Sequence, residues 1–205
     1  MIDKYQQDYR LYFDDQMTRF ESFEGQLYKK GIQDTINHIF PAETYTGSRV
    51  LDFCCGDGTT SGILSREKGF FVIGCDGNER KINAAMMNET DNMDVNFLCC
   101  DAKDFSCRFK NLMKFHFIYA SHCFEHFLDP VGLLKEIREF LVPGGNLILI
   151  LPLPSEESDG HPGAGILKLN RPFGEVIDNL TDHGFNVRHY ELANFREPEI
   201  IITLN

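Results

Sequence analysis

The chain has 205 residues, 42% hydrophobic and 25% charged, with a formal net charge of −11. That length suits one α/β domain with a modest core, and no apolar run reaches the roughly 20 residues of a membrane helix. The start, MIDKYQQDYR, lacks the basic-then-apolar layout of a signal peptide, and the acidity, without a Lys/Arg cluster, argues against a nucleic-acid partner. A cytoplasmic protein is the default expectation. Seven cysteines, an odd number without framework spacing, read as reduced thiols.

Residues 3–40 read as helix, rich in aromatics, with a break near Glu24-Gly25 and an end at Phe40-Pro41. Residues 1–45 are therefore set apart as an N-terminal helical segment, and 46–205 as the main domain. From Arg49 the pattern alternates. Val50-Leu51-Asp52-Phe53 is a short apolar strand running into Cys54-Cys55-Gly56-Asp57-Gly58 and a helix that ends at Gly69. Phe70 to Cys75 is the second strand, ending at Asp76. Asn78 can cap the next helix, with Ile82, Ala85 and Met86 on one face. Val95 to Cys100 is the third strand, ending at Asp101, and Phe115 to Ala120 the fourth, ending at Ser121. Asp129-Pro130 is a helix start with an N-cap and a first-turn proline. Leu133, Leu134, Ile137 and Leu141 form its stripe, and Pro143-Gly144-Gly145 its stop. Asn146 to Leu151 is the fifth strand, Pro152 to Asn170 a long loop, and Phe173, Val176, Ile177 and Leu180 one face of a helix ended by Gly184. Phe185 to Leu192 and Glu199 to Leu204 are the last strands.

Near-continuously apolar strands alternating with helices mean a parallel sheet covered on both faces. The expected fold is α/β: a Rossmann-like, doubly wound, seven-stranded sheet whose last strand is antiparallel, with an N-terminal helical lid.

In such sheets ligands sit beyond the carboxyl ends of the strands. Here four consecutive strand ends carry distinctive residues: Asp52 with the Gly56/Gly58 loop, then Asp76, Asp101 and Ser121. Glycine in the first loop allows unusual dihedrals and close approach of a ligand. Asp76, twenty residues after Gly56, can accept both hydrogen bonds of a ribose diol. A nicotinamide cofactor would use the same feature. Against it stand Asp52 just before the loop, Ser61 where a dinucleotide site wants a third glycine, and a second acid in Asp101-Ala102, suited to an adenine amino group. An acid-lined loop suits a ligand carrying an ammonium and a sulfonium better than a pyrophosphate.

The order VLDFCCGDG, GCD, CCDAKDF, FIYASHCFEHFLDP and LVPGGNLILILP resembles the class I S-adenosylmethionine-dependent methyltransferases, in their small-molecule branch. The resemblance covers roughly residues 49–152. It implies S-adenosylmethionine as cofactor and S-adenosylhomocysteine as product; the expected acceptor is a small molecule, with small metabolites, sugars, lipids and protein side chains all open. It also implies that Cys54, Gly56 and Gly58 carry the methionyl part, that Asp76 with Gly77 holds the ribose, and that Asp101 and Ala102 flank adenine. Ser121 and His122 then lie beside the methyl group. The sequence departs from the family at Cys54, where glycine is usual.

Ser121-His122-Cys123-Phe124-Glu125-His126 contains H-x-x-E-H, which in zinc peptidases needs a helix and a third ligand. Directly after a strand it points instead to the acceptor pocket, and no metal is expected. His122 or His126 is the candidate general base and Glu125 its orienting partner. Cysteines 54, 55, 75, 99, 100 and 123 gather near strand ends and read as small buried hydrophobes. Tyr5, Tyr9, Tyr12 and Phe13 could line a lid. The 155–159 acid-serine run and His161 could touch an acceptor. Two rival readings are a nicotinamide-dependent oxidoreductase and a catalytically idle methyltransferase-like module.

Overall fold

The computed structural model describes residues 23–41, 45–89, 91, 94–109, 112–127, 129–153, 173–196 and 198–205. Tyr5, Tyr9, Tyr12, Phe13, the 155–159 run and His161 lie outside them. The elements in chain order are α1 (Phe23–Ile39), β1 (Arg49–Phe53), α2 (Thr59–Lys68), β2 (Phe71–Asp76), α3 (Glu79–Asn88), β3 (Val95–Cys99) and α4 (Ala102–Phe109). They continue with β4 (Phe115–Ser121), α5 (Pro130–Arg138), β5 (Leu141–Pro152), α6 (Phe173–Asp182), β6 (Val187–Asn194) and β7 (Pro198–Leu204).

The seven strands form one sheet in the order β3-β2-β1-β4-β5-β7-β6. The first five are parallel, and β7 runs antiparallel to both β5 and β6. The order reverses between β1 and β4, which creates the switch-point crevice at the carboxyl ends of the strands.

Alternation along the central strands sorts their side chains onto two covered faces. Leu51 and Phe53 of β1, Leu149 of β5 and Ile202 of β7 pack with Phe105, Leu134, Ile137 and Leu180 from α4, α5 and α6. Val50, Ile150 and Ile201 point the other way, onto Ile32, Ile36, Leu64 and Ile82 from α1, α2 and α3. Each fully buried aliphatic side chain contributes about 1.5–3 kcal/mol. Because Ile32, Ile36 and Phe40 belong to the same cluster as β1 and β5, the described part of segment 1–45 is continuous with the core.

The punctuation residues act as their chemistry requires. Gly69 ends α2 at φ 65. Asn78 accepts from the amides of Arg80 and Lys81 to cap α3. Asp129 Oδ1 accepts from Gly132 N at 2.9 Å, with Pro130 opening α5.

Three expectations are corrected, and one further helix is added. Gly25 lies inside α1 rather than at a break. Met86 is exposed, so the inner face of α3 is Ile82 and Ala85. Residues 102–109 form a helix that the mixed polar pattern concealed; buried Phe105 is its anchor. Finally, α5 ends at Arg138, and Leu141 already belongs to β5. Pro143-Gly144-Gly145 sits where the β4–β5 register slips between Phe115 and Phe117, with Gly144 at φ 79. It is an irregularity within a strand, not a helix stop.

Candidate active site

The loop after β1 has a conformation that explains its composition. Cys54, Gly56 and Gly58 all have positive φ, at 61°, 57° and 79°. An L-residue in the left-handed region costs about 1–2 kcal/mol relative to glycine. Cys54 therefore keeps the backbone shape that glycine normally provides, at some cost in strain. The two glycines serve different ends. A Cβ on Gly58 would meet Phe97 Cζ at 2.7 Å and Ala85 Cβ at 2.8 Å, so this glycine lets α2 pack against α3 and β3. At Gly56 the nearest atom to an added Cβ is Lys81 Nζ at 4.0 Å. Its α-carbon thus faces open space, where a ligand could approach the backbone.

Asp76, at the end of β2, holds this loop in place. Its Oδ2 accepts from Gly56 N at 3.0 Å and its Oδ1 from Asn78 N at 2.8 Å. Each carboxylate oxygen has a further lone pair to offer. Gly77 follows, and its α-hydrogen side approaches Asp101, with Asp101 Cα 3.8 Å from a built Cβ. The ends of β2 and β3 are thus brought together, with Asp101 exposed and Ala102 half-buried. Lys81 reaches the loop from α3. Burial lowers its ammonium pKa, opposed by the nearby Asp76 and Asp57 charges.

Asp52 is placed differently from its neighbours at the rim. It is 3% exposed and accepts a 2.6 Å hydrogen bond from Ser61 Oγ in α2. Burial pushes its carboxyl up to about 7, with the hydrogen bond from Ser61 opposing and the charges of Asp76 and Asp57 adding. The acid expected to line the loop instead lies beneath it, on the face covered by α2.

After β4, His122 joins Cys54 as a non-glycine residue with positive φ among the described residues, at 51°. Its N–H donates to Ile150 O at 2.9 Å, and its Nε2 lies 3.1 Å from Glu199 Oε2. Ser121 Oγ accepts from Arg196 Nη2 at 2.8 Å. Of the two histidines that Glu125 was expected to orient, His126 is the one it faces. Glu125 sits in a single 3-10 turn, Phe124–His126, and its Oε1 is 3.7 Å from His126 Nε2. The H-x-x-E-H string is therefore not carried on one helix. Among the described residues no group of three or more His, Cys, Asp or Glu is arranged to hold a metal.

The cysteines at the rim are free thiols, of which Cys55, Cys75 and Cys123 are buried, Cys54 and Cys100 half-buried and Cys99 exposed. The Cys54 thiol is raised chiefly by donating to Cys123, and next by burial. Cys75 likewise donates to Cys100, which lowers the Cys100 thiol.

Sequence reading passed over Glu199, Arg196 and Thr35. Glu199 is fully buried at the start of β7. A charged residue heading the apolar run Ile200-Ile201-Ile202 is the one local signal that could have singled it out.

The sheet order and the open-faced loop at its switch point define a doubly wound α/β protein of the Rossmann-like class. A family model described as a methyltransferase domain matches residues 23–193, and the chain belongs to that methyltransferase-domain family. Among curated proteins, the Ubiquinone biosynthesis O-methyltransferase of Coxiella burnetii is 31% identical over 113 residues, covering 55% of this chain and 47% of that protein. The chain spans about half the length of the curated relatives it matches. Among solved structures, the TehB-like SAM-dependent methyltransferase of Corynebacterium glutamicum superposes with a TM-score of 0.62 at 15% identity, covering 97% of this chain and 96% of that one. A SAM-dependent methyltransferase of Geobacter sulfurreducens, in complex with S-adenosyl-L-homocysteine, gives a TM-score of 0.64 at 15% identity, covering 85% and 90%. These structural likenesses concern the fold. No described helix is long and apolar enough to cross a membrane.

Proposed function

We propose that this chain binds S-adenosylmethionine across the carboxyl ends of β1 to β4 and transfers its methyl group to a small-molecule acceptor. The observation that carries the reading is the open face of Gly56, whose own amide is held by Asp76. A ligand entering there meets exposed loop backbone on one side and a carboxylate with spare acceptor capacity on the other.

The residues then divide the work. The Cys54–Gly58 backbone receives the methionyl part, and Asp76 accepts from the ribose hydroxyls while it braces the loop. Gly77, Asp101 and Ala102 flank adenine. Asp52, beneath the loop, ties β1 to α2 through Ser61 and so supports the loop from below. Ser121 and His122 border the methyl end of the site. His122, His126 and Glu125 are the groups that could take the acceptor's proton or orient it. When bound, the cofactor supplies an electrophilic methyl on a sulfonium; the chain supplies alignment, which alone removes much of the barrier. The O-methyltransferase names of the curated relatives favour an oxygen nucleophile on the acceptor.

Asp101→Ala and wild type, titrated calorimetrically with S-adenosylhomocysteine, test the placement. Wild type should bind with micromolar affinity, and the variant about tenfold more weakly. Equal affinities would move adenine away from the β3 end. No binding by the folded wild type would refute the cofactor reading altogether.

A further inference from the structure

A buried polar cluster lies behind the methyl end of the site, assembled from three separate parts of the chain: α1, the end of β4 and the turn into β7. Glu199 of β7 is its centre and is fully buried. Its Oε2 accepts from Arg196 Nη2 at 2.8 Å and faces His122 Nε2 at 3.1 Å. Thr35 Oγ1 stands 3.4 Å from Oε1, but its single proton goes to Gly31 O at 2.8 Å. Arg196, with a side chain 3% exposed, spends the other hydrogen of the same nitrogen on Ser121 Oγ. Its guanidinium also lies over the Tyr28 ring, 5.7 Å from the centroid.

We propose that Glu199 is a positioning residue for the methyl-transfer site: backed by Arg196, it holds the His122 imidazole in one orientation and in the Nε2–H tautomer. This inference rests on the reading of the β4 end as the methyl-transfer end.

Three considerations lead here. First, a buried carboxylate must be paired, and Arg196 alone would satisfy that need. Enlisting the imidazole of a strand-end residue adds nothing that pairing requires. Apolar residues of similar volume would give equal or greater stability. Second, His122 sits at φ 51, a conformation that persists only where its surroundings over-determine it. The backbone bond to Ile150 and the ring contact with Glu199 both act to hold it there. Third, burial by itself would raise the Glu199 carboxyl, but the His122 hydrogen bond and the Arg196 charge more than reverse this and leave it below its usual range. An ionised carboxylate only accepts, so the proton between the two residues resides on Nε2. Second partners of this kind commonly set ring tautomers in polar sites.

The test is the imidazole nitrogen spectrum of the S-adenosylhomocysteine-saturated protein, with His122 assigned by the signal lost in His122→Asn. Wild type should show His122 as the Nε2–H tautomer. Glu199→Gln can turn its carbonyl to Arg196 and its amide N–H to the ring. It should convert His122 to the Nδ1–H form, with the cofactor-product affinity within about threefold of wild type. A His122 tautomer unchanged in Glu199→Gln overturns the inference. So does an Nδ1–H or freely exchanging ring in wild type, a result that stands even where the variant fails to fold. Failure of the wild type to bind S-adenosylhomocysteine would instead strike the underlying functional reading, and the tautomer spectrum recorded without ligand would still decide the role of Glu199.

Discussion

Asp52→Asn isolates the cost of a charge buried beneath the cofactor loop. The carboxyl rises from 3.8 to about 7 on folding, chiefly through burial. Each unit is worth about 1.4 kcal/mol, so ionising Asp52 in the folded protein costs about 4 kcal/mol. The folded state holds this proton more tightly than the unfolded chain does. Its contribution is therefore favourable at low pH, declines as pH rises from about 4 to about 7, and is flat above that. Asparagine cannot titrate, and its carbonyl can still accept from Ser61 Oγ, which now donates to Oδ2 at 2.6 Å. The stability difference, variant minus wild type, should therefore grow by about 3 kcal/mol between pH 4.5 and pH 8. Parallel denaturant titrations of both proteins at the two pH values measure it, and any constant offset of the substitution cancels. In a domain of this size a change of 1 kcal/mol moves Tm by about 2–4 °C, so thermal scans would also register it. A difference that does not change with pH would mean that Asp52 ionises in the folded protein as easily as in the unfolded chain. Burial would then not govern the ionisation of Asp52.

The loop glycines should separate stability from ligand binding. Gly56→Ala, with open space around its Cβ, should lose at most about 2 kcal/mol from its left-handed φ while cofactor-product affinity falls steeply in calorimetry. Gly58→Ala, whose Cβ would collide with Phe97 and Ala85, should lose more in denaturant unfolding, by about 2–4 kcal/mol for strain and overpacking together. Cys54→Val, a β-branched side chain at φ 61, should lower the unfolding midpoint, whereas Cys54→Gly should keep product affinity within about threefold. Leu134→Ala, far from the rim in the α5 core, should cost about 2–5 kcal/mol in unfolding without changing that affinity.

Much of the architecture was legible because it is written locally. Short apolar runs ending in Asp52, Asp76, Asp101 and Ser121 gave the strands, and Asn78, Gly69 and Asp129-Pro130 gave helix ends, since caps and stops depend on one or two residues. The antiparallel final strand followed from the short connection before it. The stretch 102–109 escaped because polar residues break up its apolar ones, although the Phe105–Phe109 spacing of four is a helical signal. Pro143-Gly144-Gly145 misled because the same residues that stop helices also relieve an irregular strand pairing. The site was readable as a set of strand ends but not as a network. Asp52 carries the same carboxyl as Asp76, yet one lies under α2 and the other braces the loop, a difference that strand alternation and helix packing decide. Glu199 is 77 residues from His122 along the chain. Their pairing depends on β7 lying beside β5, which no local spacing encodes.

The central claim is methyl transfer, and the most direct measurement follows the methyl group itself. The protein would be incubated with S-adenosylmethionine labelled in the methyl carbon and a panel of small hydroxylated acceptors, in parallel with Asp76→Ala. Label appearing in an acceptor product, with equimolar S-adenosylhomocysteine and strong loss in the variant, is the predicted result. Label remaining wholly in the cofactor, with wild type folded and cofactor bound, would contradict the account and assign the chain as a binding module that performs no transfer.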